Sequence, residues 1–155
     1  MDIKEKIHSL SEDLLKNIER LVVINSQLGT PAEGMPFGPG PAKALDEALS
    51  IARELGFKTV NLDHYCGYAE MGEGDDIVGI AGHLDIVPAG GDWTYDPFAL
   101  TRKGDYVYGR GTTDDKGPVL EALYAMKLLR DSGIRLNKRV RLIMGCNEET
   151  GSRCM

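Results

Sequence analysis

Apolar side chains recur at steps of three and four over residues 3–22, with polar residues between them. This spacing predicts an amphipathic helix whose apolar stripe packs on a core. The same period predicts a second helix over about residues 42–55 and a third over about 116–132, each followed by a glycine that can end it. Residues 26–41 hold four glycines and four prolines, which predicts a loop between the first two helices.

Strand patterns occupy much of the remaining chain. Candidate strands are residues 57–62, 67–71, 76–82, 98–102, 105–108 and 139–146. Residues 76–82 form the kind of apolar run that is buried on both faces of a mainly parallel sheet. The two short strands within residues 98–108 are expected to form a hairpin. Because helices and strands alternate, the sequence predicts an α/β fold in which helices flank a mixed, mainly parallel sheet.

Length and composition narrow the class of protein. A chain of 155 residues fits one ordinary domain, and its 42% apolar and 27% charged residues are typical of a soluble globular protein. No apolar run approaches the roughly 20 residues of a membrane helix, and the N-terminus has no apolar signal-peptide core. Three cysteines without a C-x-x-C spacing argue against a disulfide scaffold. We therefore expect a cytoplasmic protein without a membrane partner.

The net charge of −6 is distributed unevenly along the chain. Residues 61–97 carry eight acidic and no basic side chains, whereas residues 98–155 carry a net charge of +4. The acidic block opposes nucleic-acid binding, which depends on neutralising phosphates. It forms either a solvated acidic face or the surroundings of a bound cation.

Three polar clusters lie after predicted strands or before the third helix. They are G-H-L-D at 82–85, G-R-G-T-T-D-D-K-G at 109–117 and N-E-E-T-G at 147–151. Ligands of open α/β sheets bind outside the carboxyl ends of the strands, so the clusters are expected to share one crevice. Together they supply an imidazole and several carboxylates, a ligand set suited to zinc, cobalt or manganese. Taken singly, each has a structural explanation: His83 and Asp85 can cap a strand and a turn, the Asp pair can cap a helix, and the Glu pair can be solvated surface.

Other catalytic motifs fit the sequence poorly. Asp114 stands where a dinucleotide motif has its third glycine, and an acid there repels a pyrophosphate. The chain contains neither H-E-x-x-H nor G-x-S-x-G. The two remaining histidines, His8 and His64, are expected to be structural or surface residues.

The joint spacing of the clusters resembles the co-catalytic metallopeptidases that include aminoacylases, glutamate carboxypeptidases, desuccinylases and dipeptidases. Several segments are most similar to the dipeptidase V (Xaa-His dipeptidase) branch. They include F-G-P-G-P-A-K-A-L at 37–45, G-H-L-D-I-V-P-A-G at 82–90, W-T-Y-D-P-F at 93–98, G-R-G-T-T-D-D-K-G-P at 109–118 and N-E-E-T-G-S at 147–152. The resemblance covers nearly the whole chain.

The resemblance implies a zinc exopeptidase-like catalytic domain that hydrolyses dipeptides with a free amino end. It implies that His83 ligates one metal ion, Glu149 ligates another, and Asp114 bridges the two. Asp85 would support His83 from behind, and Glu148 would be the general base. It also implies a cis peptide bond after Asp114. The implied cofactor is a pair of zinc ions, with cobalt or manganese as alternatives.

The chain departs from this family in length, because members are much longer and carry a lid domain and two further ligands beyond the Glu pair. We therefore expect residues 1–155 to be the N-terminal part of the catalytic domain, without the lid and inactive alone. Such a part would self-associate or pair with a missing C-terminal portion. The alternatives are a non-enzymatic remnant, half of a split protein or, less favoured, a di-metal phosphohydrolase.

Overall fold

A computed structural model describes residues 3–154 of the chain. The helices are α1 (Ile3–Val22), α2 (Pro39–Glu54) and α3 (Lys116–Asp131). The strands are β1 (Lys58–Leu62), β2 (Cys66–Met71), β3 (Ile77–His83), β4 (Thr101–Lys103), β5 (Tyr106–Tyr108) and β6 (Arg139–Gly145). Each helix and strand that the pattern predicts is therefore present, within a few residues of its predicted bounds.

The second helix begins earlier than the pattern predicted. Residues 39–41 were expected to belong to the loop, whereas they form the first turn of α2. Proline is favourable there because its φ is already helical and its missing N–H has no acceptor to lose. The preceding Gly38 has a φ of 90°. A Cβ at this position would lie 2.8 Å from the Cα of Gly29, so only glycine fits the turn into the helix.

The main sheet has four strands in the order β1-β2-β6-β3. The pairs β1–β2 and β2–β6 are antiparallel, and β3 runs parallel to β6. The α/β class and the mixed sheet are therefore confirmed, but parallel pairing is confined to one of these three strand pairs. The connection from β1 to β2 consists of residues 63–65 alone, which is too short for a parallel crossover. Asp63 and His64 turn the chain there with φ of 52° and 55°.

The helices α2 and α3 pack on the same face of this sheet. Gly67 of β2 and Gly82 of β3 both pair with Met144 of β6, so all three positions point to one side. A Cβ on Gly67 would meet Leu45 and Leu49 of α2, and one on Gly82 would meet α3. α1 packs on both helices from outside. The core between these layers includes Leu21, Leu45, Leu49, Leu120, Leu123, Leu142 and Met144, all nearly inaccessible to solvent.

Strand β3 is less enclosed than its apolar sequence predicted. Ile77 is 43% exposed and Val78 is 47% exposed, because β3 lies at an edge of the described sheet and pairs with β6 alone. The expectation of burial on both faces is therefore wrong for this end of the strand. The C-terminal end of β3, which carries Gly82 and His83, is buried.

The predicted hairpin forms as a separate two-stranded sheet. β4 and β5 pair antiparallel, with Thr101 opposite Tyr108. Gly104 takes a φ of 58° in the turn between them. Within residues 3–154, none of the helices combines the length and the apolar character that crossing a bilayer requires.

Candidate metal centre

Three chain segments meet at the carboxyl ends of β3 and β6. His83 ends β3 directly opposite Gly145, the last residue of the parallel strand β6. The glutamate pair follows β6 by three residues, and Asp114 lies just before α3. The structure thus brings the three predicted polar clusters to one crevice outside the carboxyl ends of these two parallel strands, where ligands of α/β sheets bind.

His83, Asp114 and Glu149 converge most closely. Each offers a ligand atom, and these atoms all lie within 4.8 Å of one another. The Nε2 atom of His83 is 3.0 Å from Oδ1 of Asp114, and the Asp114 side chain is 70% exposed whereas that of His83 is 8% exposed. One imidazole and two carboxylates around one point are chemically suited to zinc, cobalt or manganese. The residues present therefore fit a divalent metal ion.

Asp85 orients the imidazole from behind. The Nδ1 atom of His83 is 3.1 Å from the backbone oxygen of Asp85 and 3.4 Å from its Oδ1. A proton on Nδ1 satisfies these acceptors, so the neutral imidazole would present its Nε2 lone pair to the crevice. The arrangement prepares His83 to ligate through Nε2.

Asp85 also joins the histidine to the glutamate pair. Its carboxylate is 1% exposed and accepts hydrogen bonds from the backbone N–H of Glu148 at 2.9 Å and of Glu149 at 3.0 Å. Burial raises the pKa of Asp85, but the hydrogen bonds from His83 and from the two amides outweigh burial, so its pKa lies below the usual value. The ionised carboxylate of Asp85 thus fixes the cluster at 82–85 relative to the cluster at 147–151.

The electrostatics of the crevice favour a cation. Burial lowers the pKa of His83, but its hydrogen bond to Asp85 and the charge of that carboxylate outweigh burial and raise this pKa to about 9. Burial and then the nearby charge of Asp114 raise the pKa of Glu149. Several carboxylates therefore repel one another here, and a bound divalent cation would relieve that repulsion.

Glu148 lies at the rim of the same crevice. Its Oε2 is 3.8 Å from Nε2 of His83, and its side chain is 45% exposed. It is not part of the three-residue group that could hold one ion. The two adjacent glutamates therefore stand in different positions relative to the histidine.

Sequence reasoning missed the contribution of Asp115. Helix capping is the structural alternative for the Asp pair, yet the Asp115 side chain makes no capping hydrogen bond. Its Oδ2 instead accepts the backbone N–H of His83 at 3.1 Å. A Cβ on Gly82 would lie 2.6 Å from this oxygen, so the glycine before the histidine was the available signal. The peptide bond between Asp114 and Asp115 is cis, as the resemblance implied.

Two buried polar residues near the clusters were also missed. Lys116 is fully buried, and its Nζ donates hydrogen bonds to the backbone oxygens of Leu21 at 2.9 Å and Ile24 at 2.7 Å. Burial lowers the pKa of Lys116 to about 8. Ser26 is also fully buried and donates its hydroxyl to the backbone oxygen of Leu84 at 2.6 Å. Both residues are polar, and the periodic spacing of apolar residues gives no sign that a polar residue is buried.

The other two histidines lie outside the crevice, as predicted. His64 contacts the backbone oxygen of Gly34 at 2.8 Å and Oδ1 of Asp46 at 2.9 Å. It thereby fastens the loop before α2 to that helix. His8 is an exposed residue of α1.

The stretch of chain that forms most of this crevice matches the sequence model of a known protein family. The sequence model described as Peptidase family M20/M25/M40 matches residues 79–155. That stretch contains His83, Asp114 and Glu149 together with Asp85.

Curated relatives match along nearly the whole chain. The protein named "Putative dipeptidase YtjP" from Bacillus subtilis (strain 168) is 43% identical over 146 residues, which is 93% of this chain and 32% of the relative. "Putative dipeptidase SAUSA300_1697" from Staphylococcus aureus (strain USA300) is 40% identical over 153 residues, which is 97% of this chain and 33% of the relative. The chain therefore spans about a third of the length of these relatives.

Solved structures share the fold. Human carnosine dipeptidase 1 superposes with a TM-score of 0.83 at 26% identity, covering 99% of this chain and 36% of that one. The M20 family metallo-carboxypeptidase Sso-CP2 from Sulfolobus solfataricus gives a TM-score of 0.75 at 28% identity, covering 90% of this chain and 32% of that one. Residues 79–155 of the chain are therefore similar to peptidase family M20/M25/M40, and nearly the whole described chain shares its fold with these solved structures.

Proposed function

We propose that this chain is the N-terminal part of the catalytic domain of a metal-dependent dipeptidase. The observation that carries the proposal is the convergence of His83, Asp114 and Glu149 within 4.8 Å. Their position at the ends of β3 and β6, and the likeness to proteins named as dipeptidases, support peptide hydrolysis in preference to other metal chemistry.

His83, Asp114 and Glu149 would hold the metal, with Asp114 shared between two ions. Zinc is the proposed cofactor, and cobalt or manganese would suit the same ligands. When bound, such ions activate a water molecule and polarise the carbonyl of the scissile peptide bond. Among residues 3–154, the cluster offers three ligands, so a complete two-ion site requires ligands from the portion of the relatives beyond the matched third.

Glu148 is proposed as the general base. Its carboxylate is half exposed at the rim and close to His83, where it can take a proton from the attacking water and return it to the leaving amine. Asp85 keeps the proton on Nδ1 of His83 and holds the backbone of Glu148 through its amide. The base and the ligands would thus keep a fixed spacing during the reaction.

The proposed substrate is a dipeptide with a free amino end. Residues 61–97 have no basic side chain and eight acidic ones, which favours an ammonium group near the crevice. The proposed location is cytoplasmic, in keeping with three cysteines that remain free thiols. We propose that activity requires segments equivalent to the parts of the relatives that this chain does not match, so that residues 1–155 alone are inactive.

Metal titration and a substrate panel test this function. Calorimetric titration with Zn²⁺ should show binding that His83→Ala abolishes and His64→Ala leaves intact, because His64 lies outside the crevice. The longest polypeptide that the gene encodes should hydrolyse dipeptides and leave phosphate esters untouched. In that polypeptide, Glu148→Gln should lower the hydrolysis rate by roughly 100-fold or more while retaining zinc. Hydrolysis of phosphate esters without any action on dipeptides would contradict the proposal.

A further inference from the structure

Lys116 sits two residues after Asp114, at the first position of α3, with no solvent exposure. Its ammonium donates to the backbone oxygen of Leu21 in the last turn of α1 and to that of Ile24 just beyond the helix. The C-terminal end of a helix carries partial negative charge, which favours a cation there. Lys116 therefore bonds the end of α1 to the start of α3.

The chain before Lys116 folds tightly against its side-chain stem. Gly111 has a φ of 90°, and a Cβ at this position would lie 2.9 Å from Cδ of Lys116. The N–H of Gly117 bonds to the oxygen of Gly111 at 3.1 Å, which closes the segment 111–117 into a loop. A Cβ on Gly117 would lie 2.0 Å from the oxygen of Thr112, so the loop has no space to relax on that side. Asp114 is one of the residues of this loop.

A buried ammonium is a costly way to hold a helix in place. Its hydrogen-bond acceptors here are two neutral carbonyls, which compensate only part of the lost hydration. A methionine of similar shape would fill the same space without burying a charge, although the backbone oxygen of Ile24 would lose this donor. The charged side chain is therefore better explained by what it positions than by packing.

We infer that Lys116 is a positioning residue for the candidate metal centre. By anchoring the loop 111–117 to the end of α1, it sets Asp114 opposite His83 and holds Asp115 against the backbone N–H of His83. This inference rests on the metal site of the proposed function, but it assigns a role to a residue that neither ligates metal nor faces the crevice.

The test compares Lys116→Met with two matched variants of the same chain. Lys127→Met makes the same replacement on α3 at a residue whose partner is Asp131. Leu49→Ala removes core packing in α2, and it controls for a general loss of stability. Co²⁺ serves as the probe, because its absorption spectrum reports the ligand geometry as well as the affinity.

Lys116→Met is expected to weaken Co²⁺ binding by roughly 10- to 100-fold and to shift the absorption bands, as loss of a supporting contact around ligands does. Lys127→Met and Leu49→Ala should keep the wild-type spectrum and affinity, even though Leu49→Ala unfolds at lower urea concentration. Without metal, the amides of Thr112 and Gly117 should exchange faster in Lys116→Met than in the wild type.

Should Lys116→Met fail to fold, Lys116→Gln keeps an N–H donor in the same space and should show an intermediate loss of affinity. Equal Co²⁺ affinity and spectra in the wild type and a folded Lys116 variant would overturn the inference and leave the metal site standing. A wild-type chain that binds no Co²⁺ would overturn both the inference and the proposed metal site.

Discussion

Replacing Asp85 by asparagine is the substitution that most directly probes how the crevice is held together. The carboxylate is 1% exposed and accepts the backbone N–H groups of Glu148 and Glu149 at 2.9 and 3.0 Å. It also lies 3.4 Å from Nδ1 of His83. Asparagine has the same shape but only one acceptor oxygen, so one amide must lose its partner and face an NH₂ group.

The expected cost follows from these contacts. A hydrogen bond to a charged group contributes about 1.5–3 kcal/mol, and a buried N–H left without an acceptor costs about 1–3 kcal/mol. Both figures describe the loss of the same hydrogen bond, so they are not simply added. We expect Asp85→Asn to lower the free energy of unfolding by about 3 kcal/mol. Urea denaturation followed by circular dichroism at pH 7 measures this difference.

The control is Asp105→Asn, an exposed carboxylate in the turn of the β4–β5 hairpin, which should change stability by no more than about 0.5 kcal/mol. The pKa of Asp85 is lowered in the folded chain, so its contribution is complete above its ordinary value of 3.8 and is lost as the pH falls through the folded pKa. The difference between wild type and Asp85→Asn should therefore shrink in acid. A loss of less than about 1 kcal/mol at pH 7 would refute the reasoning.

Two further substitutions test other parts of the structure. Gly82→Ala places a methyl group 2.6 Å from Oδ2 of Asp115 and should destabilise the chain by about 1–3 kcal/mol in urea; Gly79→Ala, with no atom within 4 Å, is its control. Burial and then the hydrogen bond to Asp13 raise the pKa of Tyr124 above its usual value of 10.0. Wild-type stability should therefore fall as the pH rises past 10, and Tyr124→Phe should remove that part of the decline; equal alkaline slopes would contradict this.

The elements that the sequence predicts well are those whose pattern repeats over many residues. The period of α1 runs through five turns, and its bounds match residues 3–22. The start of α2 was misplaced because prolines and glycines mark loops and first helical turns alike. The exposure of Ile77 and Val78 could not be foreseen, since an apolar run does not reveal which neighbours will cover it.

The residues of the crevice also differ in how well the sequence predicts them. Its ligand residues stand out in sequence because they are polar groups at the ends of apolar strands, and strand direction brings such ends together. Lys116 and Asp115 act through backbone groups instead. The bonds of Lys116 reach back more than 90 residues to the end of α1, and such a pairing has no local pattern. Only the packed chain reveals that these two residues hold the loop carrying Asp114.

The central claim is that His83, Asp114 and Glu149 form a divalent-metal centre in which Asp114 is shared between two ions. A crystal structure of the chain grown with Zn²⁺, with diffraction data collected on both sides of the zinc absorption edge, tests it most directly. The account predicts an anomalous peak in contact with a carboxylate oxygen of Asp114 and with either Nε2 of His83 or a carboxylate oxygen of Glu149. A well-ordered crevice without such a peak, or zinc bound only at other surface groups, would contradict the account.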